Sequence, residues 1–582
     1  MRLKNGESVE RGREQLRSLL NPPGWQGPGR SELLPYLLPI RDVFFGNVRL
    51  QLLLLFAASE LLLLIACTNI ASLFLSRTAS RSSEFAIRIA LGAKRSRILI
   101  HMLSESSLLA LSGGVVATAS TLATLRALPE YGTADMPFLG GVRMNVPVLL
   151  FTILMSLLTA LVCAAIPAWK MYRSDAAAGL QEGARATVGG IRSAGIREVL
   201  MGVQIAFATA LLASAALLLH SFVKVTGADR GYEIQRVMTV PLFPVVEGTR
   251  RVEFFRTLTD EIKSLPGVIA AGAIGSIPVR GDAGSQVVYR GDDVNDTVIL
   301  QRPIAGFRNT TPGYFGASGT TLLAGRFFTD HDPVTTAVVS ESLAKLLWPG
   351  EALDRIPGHT LHQGATQSPL ISVVGVARDV QSGTVDKKIL PQLYRPYLPP
   401  RAFGDMTLVV RTSDASSSLF PMIRTAIRKA DPNVPIPAIQ TMEEIVSSSV
   451  AERRFQMLLT VLFAIVALLL GAIGVYGVVS YAVTCRTREI GLRIALGAIR
   501  QEIVYWVVAK GMLPVFIGFV AGSTAALGVS IGLRTLLYGI TPYDPAAFLG
   551  VTAVLLLTAL CACYLPARRA SRLDPMIALR HE

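Results

Sequence analysis

A chain of 582 residues is too long for one compact domain, and with 51% hydrophobic and 17% charged residues and a mean hydropathy of +0.47 it is too apolar for a water-soluble one. The net charge of +15 does not mark a nucleic-acid binder, because the basic residues gather at the edges of apolar runs instead of forming one face. Runs of about twenty apolar residues, long enough to cross roughly 30 Å of hydrocarbon, occur at 52–75, 103–125, 146–168, 199–222, 455–483, 512–537 and 546–565. The composition therefore predicts a polytopic α-helical membrane protein of about seven spans.

Residues 1–50 form a basic tail with Arg2, Lys4, Arg11, Arg13, Arg17, Arg30, Arg41 and Arg49, and with no apolar run of the signal-peptide kind. Such a tail reads as the extracytoplasmic remnant of a longer protein whose first span is absent, in preference to a short tail that is simply translocated. The first membrane unit, 51–180, holds three spans. Glu60 lies near the middle of the first of them, at a depth where an acid costs roughly 2.5–3.5 kcal/mol; packing inside a helix bundle is favoured over proton transfer because Ile465 takes the corresponding place in the second half.

Between the first two spans stands EFAIRIALGA, 84–93, surrounded by Arg77, Arg81, Arg88, Lys94, Arg95 and Arg97. By the positive-inside rule this loop is cytoplasmic, as are the segments carrying Lys170, Arg173 and Arg185, then Arg486, Arg488, Arg493 and Arg500, and finally Arg568, Arg569, Arg572 and Arg580. Seven alternating crossings satisfy all four, with the amino terminus outside and the carboxyl terminus inside. Glu84 and Arg88 are four apart in the favourable helical order, Phe85 with Ile89 and Ile87 with Leu91 make an apolar contact face, and Gly92 supplies the left-handed stop. A short rigid cytoplasmic helix of this kind reads as a docking knob for another protein rather than a helix lying on the lipid headgroups.

After a cytoplasmic linker, 181–198, and a span at 199–222, a stretch of 229 residues at 223–451 reads as a water-soluble domain on the outer face. Phe254, Phe255, Leu258, Ile262 and Leu265 recur at helical spacing up to Pro266 and Gly267; VIAAGAIG, TAVVS, LISVVGVA and MTLVVRT read as strands; a second helix runs through Leu419, Ile423 and Ile427. The expectation is an α+β domain of two small lobes. All five cysteines, Cys67, Cys163, Cys485, Cys561 and Cys563, fall in or beside spans, so no disulfide staples it. His359 and His362 are three apart in a Gly- and Thr-rich loop without nearby ligands, and no metal site is predicted there.

The second membrane unit, 452–567, repeats the first. EIGLRIALGA, 489–498, matches the earlier motif at seven of ten positions, with Glu489, Arg493 and Gly497 in place of Glu84, Arg88 and Gly92. LPARRASRLDPMIAL, 565–579, leads into the cytoplasmic tail 568–582 and matches IPAWKMYRSDAAAGL, 166–180, at Pro, Ala, Arg, Asp and Leu. Four crossings separate the motif copies, so both face the same side and the repeat is parallel, unlike the inverted repeats of many secondary carriers. Gly518, Gly522, Gly528 and Gly532 make two GxxxG spacings in the sixth span, with Gly113 matching Gly518, and predict close helix packing.

The repeated ExxxRxALGA motif, the P-A and R-x-D-P tail and the single large outer domain resemble the MacB/FtsX family of ABC transporter permeases, in its duplicated form. LPGV (265–268), SESLAKLLWPGE (340–351), VVGVARDV (373–380) and LYRPY (393–397) are similar to that family's periplasmic core domain, and IRDVFFGNVR (40–49) to the end of a preceding one. DRIPG at 354–358 departs from the family pattern, and Ala176 replaces the proline present as Pro575. The resemblance implies a bacterial inner-membrane permease without enzymatic activity or cofactor of its own. It implies coupling through Glu84, Arg88, Gly92, Glu489, Arg493 and Gly497 to a separate ABC ATPase dimer. Membrane lipid and periplasmic or outer-membrane components are the other expected partners, and nucleic acid is not one. The implied function is export by transmission of motion to the outer domain. The alternative is a non-transporting mechanical switch acting on an outer partner such as a cell-wall hydrolase. No G-x-x-x-x-G-K-[ST] occurs in the sequence, so nucleotide is expected on another polypeptide.

Overall fold

The computed structural model describes residues 8–20, 37, 40–80, 95–132, 143–173, 186–246, 248–281, 284–293, 302–364, 369–383, 389–399, 405–414, 418–532, 534 and 537–572. The chain separates into two bodies, Met1–Gly46 with Val225–Glu452 and Asn47–Lys224 with Arg453–Glu582.

The first body holds helix α1 (Val9–Leu20) and the large domain. Its eleven strands are β1 (Val237–Leu242), β2 (Val268–Ile274), β3 (Ser285–Arg290), β4 (Ile304–Thr310), β5 (Leu322–Gly325), β6 (Thr336–Ser340), β7 (Thr360–Gln363), β8 (Ile371–Ala377), β9 (Gln392–Pro396), β10 (Met406–Thr412) and β11 (Gln440–Thr441). All belong to one hydrogen-bonded sheet in the order β11-β1-β10-β2-β4-β3-β7-β8-β6-β9, with β5 on β8. The two lobes expected from sequence share this sheet: β2 meets β4 at the register pair Ile274 with Thr310, and a buried cluster including Ile274, Val409, Val338 and Tyr394 runs across the junction. In one lobe the antiparallel strands β11-β1-β10-β2 carry an apolar cluster of Val240, Ala271, Ala273, Leu408 and Val410. Onto it pack Phe255, Leu258 and Ile262 of a helix at Gly248–Lys263 and Ile423 and Ile427 of a helix at Leu419–Ala430. In the other lobe β9 pairs with both β6 and β4, so β4, β3, β7, β8, β6 and β9 close into a ring. Closure removes the open strand edges that invite unwanted pairing.

The periodicity of Phe254 to Ile262 produces the expected helix because each of those residues is buried on one face. Gly267, at φ +84°, ends that segment. Gly272 on β2 is required for a different reason: a Cβ there would lie 2.2 Å from the Tyr314 amide nitrogen, where the helix Tyr314–Ser318 crosses the strand. His359 stacks on Trp348, and its Nε2 lies 2.9 Å from Glu351, so the WPGE segment holds it; His362 stacks on Tyr289.

The second body is helical. Numbering on from α1 and through the helices of the outer domain, α2 is Ile40–Ser80, α3 Arg95–Gly132, α4 Val146–Arg173, α5 Ala186–Thr226, α6 Gly248–Lys263, α7 Tyr314–Ser318, α8 Glu341–Leu347, α9 Leu419–Ala430, α10 Met442–Ser449, α11 Ala451–Cys485, α12 Thr487–Ala495, α13 Arg500–Gly532 and α14 Pro545–Ala570. Among the described residues six helical stretches are long and apolar enough to span a bilayer: Gln51–Leu75, Leu103–Ala127, Gly195–Thr226, Ala451–Cys485, Arg500–Gly532 and Pro545–Ala570. The third run of the sequence lies in α4, whose described apolar part is the shorter Val146–Leu161. This is a multi-pass membrane protein with an attached α+β domain.

Candidate coupling site

The second copy of the repeated motif forms α12, set between α11 and α13. Its carboxyl end is closed by Gly497 at φ +98°, whose amide donates to the Ile494 carbonyl at 3.0 Å, while the Ala498 amide donates to Arg493 at 3.0 Å. A β-carbon on any other residue would strain that left-handed turn. Arg493 Nη2 donates to Glu489 Oε1 at 2.7 Å across one helical turn. Both side chains are about half exposed, so the pair contributes only a few tenths of a kcal/mol to stability.

The apolar residues of α12 divide between two directions. Ile490, 1% exposed, packs with Ile503 and Ala570, and Ile494, Val483, Ala498 and Trp506 surround that contact. Leu492 and Leu496, 52% and 80% exposed, face away from the bundle, as does Ile499. One face therefore fixes the helix onto α13 and α14, and only the other is open to a partner. The sequence reading puts the apolar residues on one contact face; the structure divides them, because positions two apart on a helix point to different sides and Ile490 and Ile494 are taken by the protein's own helices. The half-buried Trp506 was missed: Arg486, Arg493 and Lys510 lie 5.6, 4.6 and 5.5 Å from its ring centre. An aromatic at the edge of a basic-flanked span was the available signal.

The first copy, with Glu84, Arg88 and Gly92, lies outside the described residues. Gly518 and Gly522 face α5: a Cβ would approach the Gly202 carbonyl oxygen to 2.3 Å and the Ala206 carbonyl oxygen to 2.5 Å. Gly113, Gly528 and Gly532 correct the expectation of close packing, because a Cβ at each would meet open space. Glu60 is half-buried, and no cluster of His, Cys, Asp or Glu able to hold a metal occurs among the described residues. Cys561 is exposed and Cys563 buried, two positions apart on α14 and on different faces.

The FtsX-like permease C-terminal model matches twice, at residues 56–176 and 461–575. The MacB-like periplasmic core domain model matches residues 205–440. The chain belongs to the MacB/FtsX-type ABC permeases. Among curated relatives of this permease, the macrolide export ATP-binding/permease protein MacB of Chromobacterium violaceum is 26% identical over 58% of this chain and 53% of its own length. The protein of the same name from Syntrophobacter fumaroxidans is 32% identical over 25% of this chain and 20% of its own. That of Escherichia coli K12 is 27% identical over 48% and 44%. The permease thus spans about half the length of the curated relatives it matches, or less. The solved periplasmic region of MacB from Actinobacillus actinomycetemcomitans aligns at 16% identity and a TM-score of 0.25, covering 38% of this chain and 95% of that one, and adds nothing to the assignment.

Proposed function

We propose that this permease is the membrane component of an ABC export system of a bacterial inner membrane, driven by ATP hydrolysis on a separate subunit that docks on α12 and its first-half counterpart. The observation that carries the reading is the exposed side of α12, where Leu492 and Leu496 flank the Glu489–Arg493 pair. An apolar patch framed by charge, at the base of two membrane helices, is suited to take up motion from a partner. The parallel repeat offers one such helix to each member of an ATPase dimer. Closure of that dimer shifts the spans, and α5 and α11, which run on into the outer domain, carry the shift outward. At about 1.5 Å per residue, the 35 residues of α11 exceed the hydrocarbon thickness. Substrate is handled on the outer side, and macrolides, for which the relatives are named, are the first class to test.

The test is capture of an ATPase. The tagged chain is solubilised gently from its native membrane, beside Leu496→Asp and the double change Glu84→Ala with Glu489→Ala. An ATP-binding subunit is expected with the parent and at least tenfold less with either variant, a loss of about 1.4 kcal/mol or more in binding. Because Leu496 is exposed and the Glu489–Arg493 pair adds so little to folding, the variants are expected to keep their thermal stability; loss of ATPase together with unfolding, or equal capture by all three, sinks the reading.

A further inference from the structure

Trp506 stands one turn and a half into α13, and three cations converge on its indole: Arg493 at 4.6 Å, Lys510 at 5.5 Å and Arg486 at 5.6 Å from the ring centre. They come from three places in the chain: the residue between α11 and α12, then α12, and α13 itself. Two carboxylates lie near them in sequence, and each is engaged: Glu489 accepts from Arg493, and Glu502 accepts from the Ile499 amide at 3.3 Å. A cation over an indole gains about 0.5–1 kcal/mol at an exposed site, while like charges gathered around one ring repel one another and favour an added anion. Among the described residues, three cations thus gather here around one ion-paired carboxylate, Glu489.

The same helix shows what brings that charge. Trp506, Lys510, Leu513 and Ile517 follow at i, i+4, i+7 and i+11, one face of α13. Leu513 and Ile517 are 62% and 59% exposed, and Phe516 beside them is 58% exposed. The cations around the indole and an exposed apolar stripe therefore lie along one face of a membrane-spanning helix. Tryptophan at such a level is a membrane-interface residue, with its polar edge toward the headgroups.

We propose that Arg486, Arg493, Lys510 and Trp506 form a binding site for the headgroup phosphate of an anionic phospholipid, whose acyl chain lies along Leu513 and Ile517. The phosphate meets guanidinium and ammonium donors, which are the groups suited to it. The lipid also bears on α12, since Arg493 is shared between the headgroup and Glu489, and it holds that helix against the bilayer surface. The site stands whether or not an ATPase docks there.

The test uses the full-length protein reconstituted into vesicles of equal parts phosphatidylglycerol and phosphatidylcholine, then extracted in mild detergent, with retained lipid counted by native mass spectrometry. The parent is expected to retain phosphatidylglycerol over phosphatidylcholine, and Arg486→Gln with Lys510→Gln to lose that preference by about fivefold for each cation removed. Arg250→Gln with Arg256→Gln removes the same charge from exposed positions of the outer domain and is expected to leave the preference intact. Arg486→Lys with Lys510→Arg, which keeps both charges, is expected to keep the preference, which separates headgroup binding from any effect on folding. Equal preference in the parent and in the Arg486→Gln, Lys510→Gln double variant overturns the proposal. So does stripping of phosphatidylglycerol alone by added inorganic phosphate, which would make this a site for free phosphate.

Discussion

Asp332, on the loop after β5, is gripped from two sides. Arg326 donates to both of its oxygens at 2.7 and 2.6 Å, and the Thr329 amide and hydroxyl donate at 2.7 and 3.0 Å. The Arg326 hydrogen bond holds this carboxyl well below the usual carboxylate range, against partial burial and with help from Thr329. A depressed folded-state value means the contribution is present above the ordinary carboxyl value near 4 and is lost as pH falls below it toward the folded value. Arg326 is 54% exposed, so solvent screening limits the gain to about 1 kcal/mol. Asp332→Asn is expected to lower the outer domain's unfolding temperature at neutral pH and to flatten its decline below about pH 4; parallel pH profiles for parent and variant would refute this. Arg308, 1% exposed, shows a different economy at the same scale. Its guanidinium donates to the Ser276 and Gly281 carbonyls, to Ser382 Oγ and to Gln392 Oε1. Nothing in the strand segment IAGFRNT reveals this, because its partners are dispersed over more than a hundred residues and include backbone oxygens, which sequence cannot rank.

Among the elements, α13 separates glycines that look alike in the sequence. Gly518→Ala would drive a methyl into the Gly202 carbonyl, and helix backbones cannot yield as a side-chain tip can; a loss of about 1–3 kcal/mol is expected. Gly528→Ala meets open space and is expected to be neutral or to stabilise by up to about 1 kcal/mol, through helix propensity. Thermal unfolding in detergent of the two single variants checks this, and an equal response of both would show that the α5–α13 contact does not depend on Gly518. GxxxG spacing places small residues on one face but does not say which stretch of that face meets a neighbour. Strand prediction has a similar limit. β2, β6, β8 and β10 were legible because they are apolar and buried along most of their length, whereas SQVVYR of β3 and TLHQ of β7 carry polar and charged residues and take their place by pairing within the ring.

Across the membrane body, helices far apart in sequence are tied by hydrogen bonds, one of which crosses between the two repeats. Asn69 Nδ2 of α2 and Gln204 Nε2 of α5 donate to the same oxygen, the Leu470 carbonyl of α11, at 2.9 and 2.7 Å. Gly474 makes the approach possible: a Cβ there would lie 2.4 Å from Gln204 Oε1 and 2.5 Å from Asn69 Oδ1. Gly474→Ala must therefore displace both amides and is expected to cost about 1 kcal/mol, the scale of a hydrogen bond between membrane helices. In an Asn69→Ala, Gln204→Ala background the same change is expected to cost nothing further, a non-additivity that a thermal-unfolding cycle measures directly. Full additivity would mean that the clash is relieved elsewhere.

The seven apolar runs, the motif at two places in the chain and the soluble insert were all determined by the sequence alone, because each is a local pattern of hydropathy, charge or spacing. The helical face of α6 and the left-handed stop at Gly497 belong with them, since both follow from neighbours within a turn or two. Only the tertiary structure decided which face of α12 is taken by Ile503 and Ala570, which glycines of α13 touch α5, and how six strands close into a ring. Those outcomes rest on contacts between residues tens to hundreds of positions apart, whose energies arise only when the elements are packed.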